Sequence, residues 1–216
     1  MSRATISSRG IAAGGRVNSH QVNASPCHRV HSSRSPVSGA ARARTMGIMH
    51  IEIMPHITVR PATPADLPAV ARLGVLLVRM HYEFDPLRFI PATPATERGY
   101  REFLGRQLAD ADIVVLVAER DGEVVGYTYA GLEGWDYMSL RAPAGVLHDI
   151  LVDPDHRGHG AGRKLLEATI AELELRGAPR VVLSTAAQND SAQRMFAAAG
   201  FRQTMIEMTR EMSPTR

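Results

Sequence analysis

The sequence of 216 residues predicts an α/β (α+β) fold, a mixed β-sheet covered by helices. Three observations predict it. Strand-like and helix-like runs interleave from Ile57 onward, the pattern of a sheet with helical layers. The run "IVVLVA" (Ile113 to Ala118), the turn "RDGE" and a second run rich in Val and Tyr read as a hairpin. The stretch "VDPDHRGHGAGRKLLEATIAEL" (Val152 to Leu173) joins a strand-like run to a helix through three alternate glycines, Gly158, Gly160 and Gly162.

Each element has its own warrant. Ile57 to Arg60 is a short strand. Thr63, Pro64 and Asp66 mark a helix start: Thr63 can cap, Pro64 suits the first turn, and the helix dipole favours Asp66. Leu67, Val70, Leu73, Leu77 and Met80 follow at helical spacing. After the breakers "DPLRFIPATP", a second helix is predicted from about residue 95 to 108. The hairpin spans 113–133, and "GVLHDILVDP" is a further strand ended by Pro154. The glycine cluster opens a helix that Gly177 and Pro179 end near Arg176. "RVVLSTA" is a buried strand, "NDSAQRMFAAAG" a short helix closed by Gly200, and "FRQTMIEMTREM" alternates as a last half-buried strand. Strands flanking the later helices are expected to be parallel with right-handed crossovers.

Composition excludes several classes. Residues 1–51 hold seven arginines and no acid, leaving 18 of the 25 basic residues against all 22 acids, a formal −4 for the rest. The folded part is therefore mildly acidic, which argues against nucleic acid as a partner. No apolar run reaches the roughly 18 residues that span a bilayer, so no membrane role is expected. The single cysteine, Cys27, excludes an internal disulfide and a cysteine-rich metal site, and no metal is expected. No secretory h-region is present, and a cytoplasmic location is expected. Residues 1–50, rich in Ser and Arg without apolar periodicity, are expected to be disordered. They read as a transit peptide, as a basic arm, or as sequence upstream of a start at Met46, Met49 or Met54, the last being favoured. The folded domain is placed at 56–212.

The glycines need a reason, because glycine costs order and gives nothing to a core. A helix N-terminus carries unpaired N–H groups and partial positive charge. A loop without side chains lets those groups close around a phosphate. A P-loop needs G-x-x-x-x-G-K-[ST], and Leu165 follows Lys164 where Ser or Thr should stand. A dinucleotide fingerprint needs G-x-G-x-x-G, and the spacing here is G-x-G-x-G. The pattern [Q/R]-x-x-G-x-[G/A] fits Arg157 to Gly162.

With "LVDPDHRGHGAGRKLL" followed by "LSTAAQNDSAQRMFAAAGF", the chain resembles the GNAT superfamily of acyl-CoA-dependent N-acyltransferases over about Ile57 to Met212. The resemblance implies a GNAT-like fold whose sheet is splayed centrally. It implies that Arg157, Gly158, His159, Gly160, Ala161 and Gly162 bind the coenzyme A diphosphate. Leu151 and Val152 would pair with the pantetheine arm like an extra strand, Asn189 would hydrogen-bond that arm, and acetyl-CoA would be the acyl donor. The acid of many members is a tyrosine seven residues after the asparagine. Here that position is Phe196, which would pack against the cofactor or under Phe201.

Acyl transfer to an amine needs a base, an oxyanion donor and a tolerated leaving group. A backbone N–H near Ile150 or Leu151 is expected to serve the oxyanion. Three side chains compete as base: His148, Asp149 and Glu133. Strict alternation sets His148 on the face of Ile150 and Val152 and Asp149 on the opposite face. Tyr127 and Tyr129 are read as packing residues. The loops carrying His81, Tyr82, Glu83, Asp85, Trp135, Asp136 and Tyr137 suit a cationic amine or cover a core edge. The expected activity is N-acetyl transfer to a primary amine of a small molecule or protein. The alternative is a non-catalytic acyl-CoA-binding regulatory module. A homodimer is allowed by analogy, with the last strand as one means of pairing.

Overall fold

A computed structural model describes residues 56–212; the expected disorder of residues 1–50 lies outside them. Five strands form one sheet in the order β1-β2-β3-β4-β5. They are β1 (Ile57–Pro61), β2 (Ile113–Arg120), β3 (Glu123–Glu133), β4 (Ala144–Val152) and β5 (Val181–Leu183). The first four pair antiparallel, and β5 lies parallel to β4 across an intervening helix, as the crossover predicts. The helices are α1 (Leu67–Phe84), α2 (Thr96–Gln107), α3 (Ala161–Leu175) and α4 (Asp190–Ala198).

The predicted start of α1 is preceded by one 3-10 turn, Pro64–Asp66. The Asp66 carboxylate accepts from the Thr63 N–H and hydroxyl, each at 2.8 Å, and from the Arg60 guanidinium at 2.8 and 2.9 Å. The Arg60 fork, opposed by burial and helped by Thr63, holds the Asp66 carboxyl far below the usual range. This cluster fixes the turn from β1 into α1.

Two cores flank the sheet. On one face α3 packs Leu165, Leu166 and Leu173 against Val114, Leu116 and Leu147. On the other, Val70, Leu73 and Leu77 of α1 and Leu104 of α2 meet Val117, Tyr127 and Leu151. The α3 side contains a buried polar bridge. The Thr169 hydroxyl donates to the Leu165 carbonyl at 2.8 Å, so the Thr128 hydroxyl, 2.8 Å from it, is the donor to Thr169.

Two features of β4 position the side chains around it. Tyr129 pairs with Asp149 and Ala130 with Leu147, so His148 is an extra residue, a β-bulge. Beyond Leu147, β4 runs on to Val152 without β5, whose pairing covers Gly145 to Leu147 alone. The expected splay therefore opens between β4 and β5, beside the sheet's edge.

The last predicted strand does not form. Residues 201–212 carry no strand, and Met205, Ile206, Met208 and Met212 are exposed. The alternation is present, but a strand needs a partner edge of matching length, and β5 offers three residues. This tail is held to the α1–α2 connection by an ion pair between Arg88 and Glu207.

Candidate active site

The bulge brings the candidate bases together. Asp149 accepts a hydrogen bond from the Tyr127 hydroxyl at 2.8 Å. The His148 ring stacks on Tyr129, centroids 5.0 Å apart and planes 25° apart. Tyr127 and Tyr129 belong to the α1–α2 side of the sheet, whereas Ile150 and Val152 pack on the α3 side. Strict alternation therefore fails in β4. One extra residue lets consecutive side chains, His148 and Asp149, leave the same face.

The third candidate joins them. Glu133 Oε1 lies 3.0 Å from His148 Nε2, and Arg141 contacts the same carboxylate. Asp136 touches that group only through Arg141, 3.9 Å away, and accepts from Met138 N and Ser139 N at the tip of the β3–β4 loop. Trp135 and Tyr137 stack on each other there, 6.5 Å apart, both exposed.

Asp149 is the most shielded of the three, half-buried where His148 is exposed. Burial raises its carboxyl above the usual range, against the opposing pull of the Tyr127 hydrogen bond and of the nearby His148 and His81 rings. The Tyr100 phenol lies beside the Tyr127–Asp149 pair, and burial pushes it upward as well. Tyr100 sits on α2 as one residue of an ordinary helical run, and nothing in the sequence marks it. Its ring lies on Gly74 of α1, where an added Cβ would come within 2.3 Å of the ring.

A cavity of about 230 Å³ lies where β4 and β5 part. His148, Asp149 and Ile150 line it from β4, and Met80, His81 and Phe89 from the end of α1 and the loop after it. Ser184, Thr185, Asn189 and Phe196 line the third side. Ser184 and Thr185 also escape a sequence reading, because they look like the tail of a buried strand. Tyr82, Glu83 and Asp85 are outside this lining. Phe196 is buried, 5.9 Å from the ring of Phe201. Asn189 Oδ1 caps α4 by accepting from Ala192 N at 3.2 Å, which leaves its NH2 group for another partner.

The expected cofactor loop comes directly after β4. Asp153 N donates to Val125 O at 2.9 Å, so by alternation Leu151 N–H also faces β3, while the N–H groups of Ile150 and Val152 face the gap. Ile150, not Leu151, thus presents a donor. The Val152 carbonyl is engaged by Arg157 Nε at 3.1 Å. Gly158 and Gly160 adopt left-handed φ of +82° and +84°, and a Cβ added at either would meet nothing within 4 Å. These two positions need glycine for the turn and leave open ground above it. His159 between them is exposed. Gly162 differs: it lies within α3, and its added Cβ would rest 3.4 Å from Met195 Sδ, an ordinary contact. Lys164 N bonds Gly160 O, so Ala161, Gly162 and Arg163 hold N–H groups with no acceptor in their own helix. An open glycine turn below three free amides fits a diphosphate. Lys164 itself turns away and donates to Ile57 O at 2.8 Å.

Among the described residues no group of three or more His, Cys, Asp or Glu is placed to hold a metal, and no helix is long and apolar enough to cross a membrane.

The model of the acetyltransferase (GNAT) family matches residues 78–201. An aminoglycoside N(6')-acetyltransferase type 1 of Stenotrophomonas maltophilia is 33% identical over 150 residues, covering 68% of this chain and 87% of that protein. A mycothiol acetyltransferase of Cellulomonas flavigena is 34% identical over 96 residues, 43% of this chain. The match spans 28% of that relative's length, so the chain corresponds to less than a third of it. Among solved structures, aminoglycoside N-acetyltransferase AAC(6')-Iy in complex with CoA superposes with a TM-score of 0.54 at 18% identity, over 73% of this chain and 95% of that one.

Proposed function

The chain belongs to the GNAT family of acetyltransferases, and we propose that this acyl-CoA-dependent enzyme acetylates a primary amine of a small molecule, with Asp149 as the base. The observation that carries the reading is the position of Asp149. Its half-buried carboxyl, raised above the usual range by loss of solvent, lines the cavity at the parting of β4 and β5. A base with that tuning works closer to neutral pH than a free carboxylate. The naming of the Stenotrophomonas maltophilia relative for aminoglycosides supports a small-molecule acceptor.

Acetyl-CoA, when bound, supplies the thioester carbonyl that an amine attacks and a thiol as leaving group. The Arg157 to Gly162 backbone would hold its diphosphate, with the amides of Ala161, Gly162 and Arg163 as donors. The Asn189 NH2 group and the Val152 N–H would anchor the arm. The Ile150 N–H offers a donor for a developing oxyanion in the gap. Asp149 takes the amine's proton. His148 Nε2 lies 3.0 Å from Glu133 Oε1, and the ring serves as the relay that carries the proton from Asp149 outward. Phe196 has no proton to give. Ser184 and Thr185 are the hydroxyl residues on that side, and they are the candidates for protonating the leaving group.

Thiol release from acetyl-CoA in the presence of diamines, aminoglycosides, amino acids and a peptide with a free N-terminus tests the reading. Asp149→Asn is expected to cut turnover by roughly 10²- to 10⁴-fold while CoA affinity measured by calorimetry stays within about twofold. Unchanged turnover in that variant removes Asp149 from the role. Tight CoA binding with no amine-dependent turnover points instead to an acyl-CoA-binding module.

A further inference from the structure

The cavity wall opposite β4 contains a second nitrogen base. His81 lies in the last turn of α1, and its Nδ1 is 2.9 Å from the Leu77 carbonyl. A carbonyl only accepts, so Nδ1 carries the proton and the neutral ring keeps its lone pair on Nε2. The two nitrogens of an imidazole diverge widely. With Nδ1 turned back onto its own helix, Nε2 is directed away from it. The ring is fixed by edge-on packing against Phe84 at 6.0 Å and Phe89 at 5.0 Å. Nε2 has no hydrogen-bond partner among the described residues, and His81 lines the cavity together with Asp149.

We propose that His81 is a specificity-determining residue that accepts a hydrogen bond through Nε2 from the reacting nitrogen of the amine, on the side opposite Asp149. This assignment rests on the acetyl-transfer reading of the site. The chemistry comes from counting protons. A primary ammonium has three N–H groups. Asp149 takes one proton, which frees the electron pair that attacks. His81 Nε2 accepts a hydrogen bond from a second N–H and so sets the rotation of the amine about its C–N bond. The third is lost after attack, to Asp149 once its first proton has passed outward by way of His148. The amide nitrogen keeps the N–H that His81 holds, its pair is now in the new C–N bond, and His81 gains and loses no proton. Met80, Phe89 and Ile90 beside it are apolar, and His81 is the imidazole among the side chains that line that wall. A secondary ammonium has two N–H groups and loses both on the way to its amide, so it cannot keep the contact to His81 through transfer. The site should therefore discriminate against N-methylated versions of its own substrate.

His81→Phe keeps an aromatic ring between Phe84 and Phe89 and removes both nitrogens. His81→Gln restores an acceptor oxygen near the place of Nε2. With the best amine from the panel, His81→Phe is expected to raise the amine KM at least tenfold, with Tm and CoA affinity unchanged, and to narrow the preference for the primary over the N-methylated amine. His81→Gln is expected to recover most of both. If His81→Phe keeps the amine KM and the N-methyl discrimination within twofold of the wild type, the assignment is overturned while Asp149 chemistry stands. If His81→Phe unfolds, His81→Leu takes its place: a tenfold rise in amine KM with a narrowed N-methyl discrimination supports the contact, and wild-type values of both overturn it. Wild-type protein that binds CoA and turns over no amine overturns both readings at once.

Discussion

Asp149 combines two properties that pull in opposite directions. An ionised carboxylate is costly to bury, and burial is what raises this one. The same displacement makes it useful as a base. Asp149→Asn removes a poorly solvated charge, so its melting temperature should be unchanged or higher while turnover collapses; calorimetric unfolding beside the thiol assay checks this. The pH profile carries the same information. A base acts when deprotonated, so the rate should rise with pH along a limb displaced above the ordinary carboxylate range. The Tyr127 hydroxyl donates to the charged form and lowers the carboxyl. Tyr127→Phe should move that limb to higher pH, and a limb that stays put or moves down would remove Tyr127 from the network.

The helices and strands add constraints that single residues do not show. Gly74 is in the middle of α1, where alanine would ordinarily gain about 1 kcal/mol of helix propensity. Here its Cβ would collide with the Tyr100 ring. Gly74→Ala is therefore expected to destabilise by about 1 to 3 kcal/mol, as overpacking does, and to lower turnover by displacing Tyr100 from Asp149. Gly160→Ala should act differently. The left-handed φ of residue 160 costs a non-glycine residue roughly 1 to 2 kcal/mol, and a turn that relaxes should weaken CoA binding in calorimetry more than it lowers Tm. Elements set by local periodicity and punctuation are legible in the sequence: α1, the β2–β3 hairpin, and α3 after its glycines. The diphosphate loop is legible because its signal is a contiguous run. The shared face of His148 and Asp149 is not, since a bulge depends on how two strands pair and leaves no mark in either alone. The tail after Phe201 misleads for the same reason: alternation describes a strand's faces and says nothing of whether an edge awaits it. Tyr100 and His81 enter the site from another layer, which no spacing in β4 encodes.

For the molecule as a whole, the two aspartates give stability opposite pH dependences. The Asp66 carboxyl is lowered on folding, so its contribution is present above the unfolded value of roughly 3.9 and is lost as pH falls below it. Asp66→Asn should cost about 1 to 2 kcal/mol near neutrality, below the roughly 3 to 5 kcal/mol of a fully buried pair because Arg60 is more than a third exposed. It should also flatten the acid limb of denaturant midpoints measured against pH. The Asp149 carboxyl is raised on folding, so its contribution is present below that same unfolded value and is lost as pH rises through its folded one. The sheet also tolerates a change in the length of β4. The pairs on either side of His148 remain matched if that residue is deleted outright: Leu147 still meets Ala130, and Asp149 still meets Tyr129. A one-codon deletion should then yield a folded, CoA-binding chain with the relay excised and Asp149 in place. In a lineage built on this scaffold, a proton path can be gained or lost by an indel, with no substitution anywhere in the sheet.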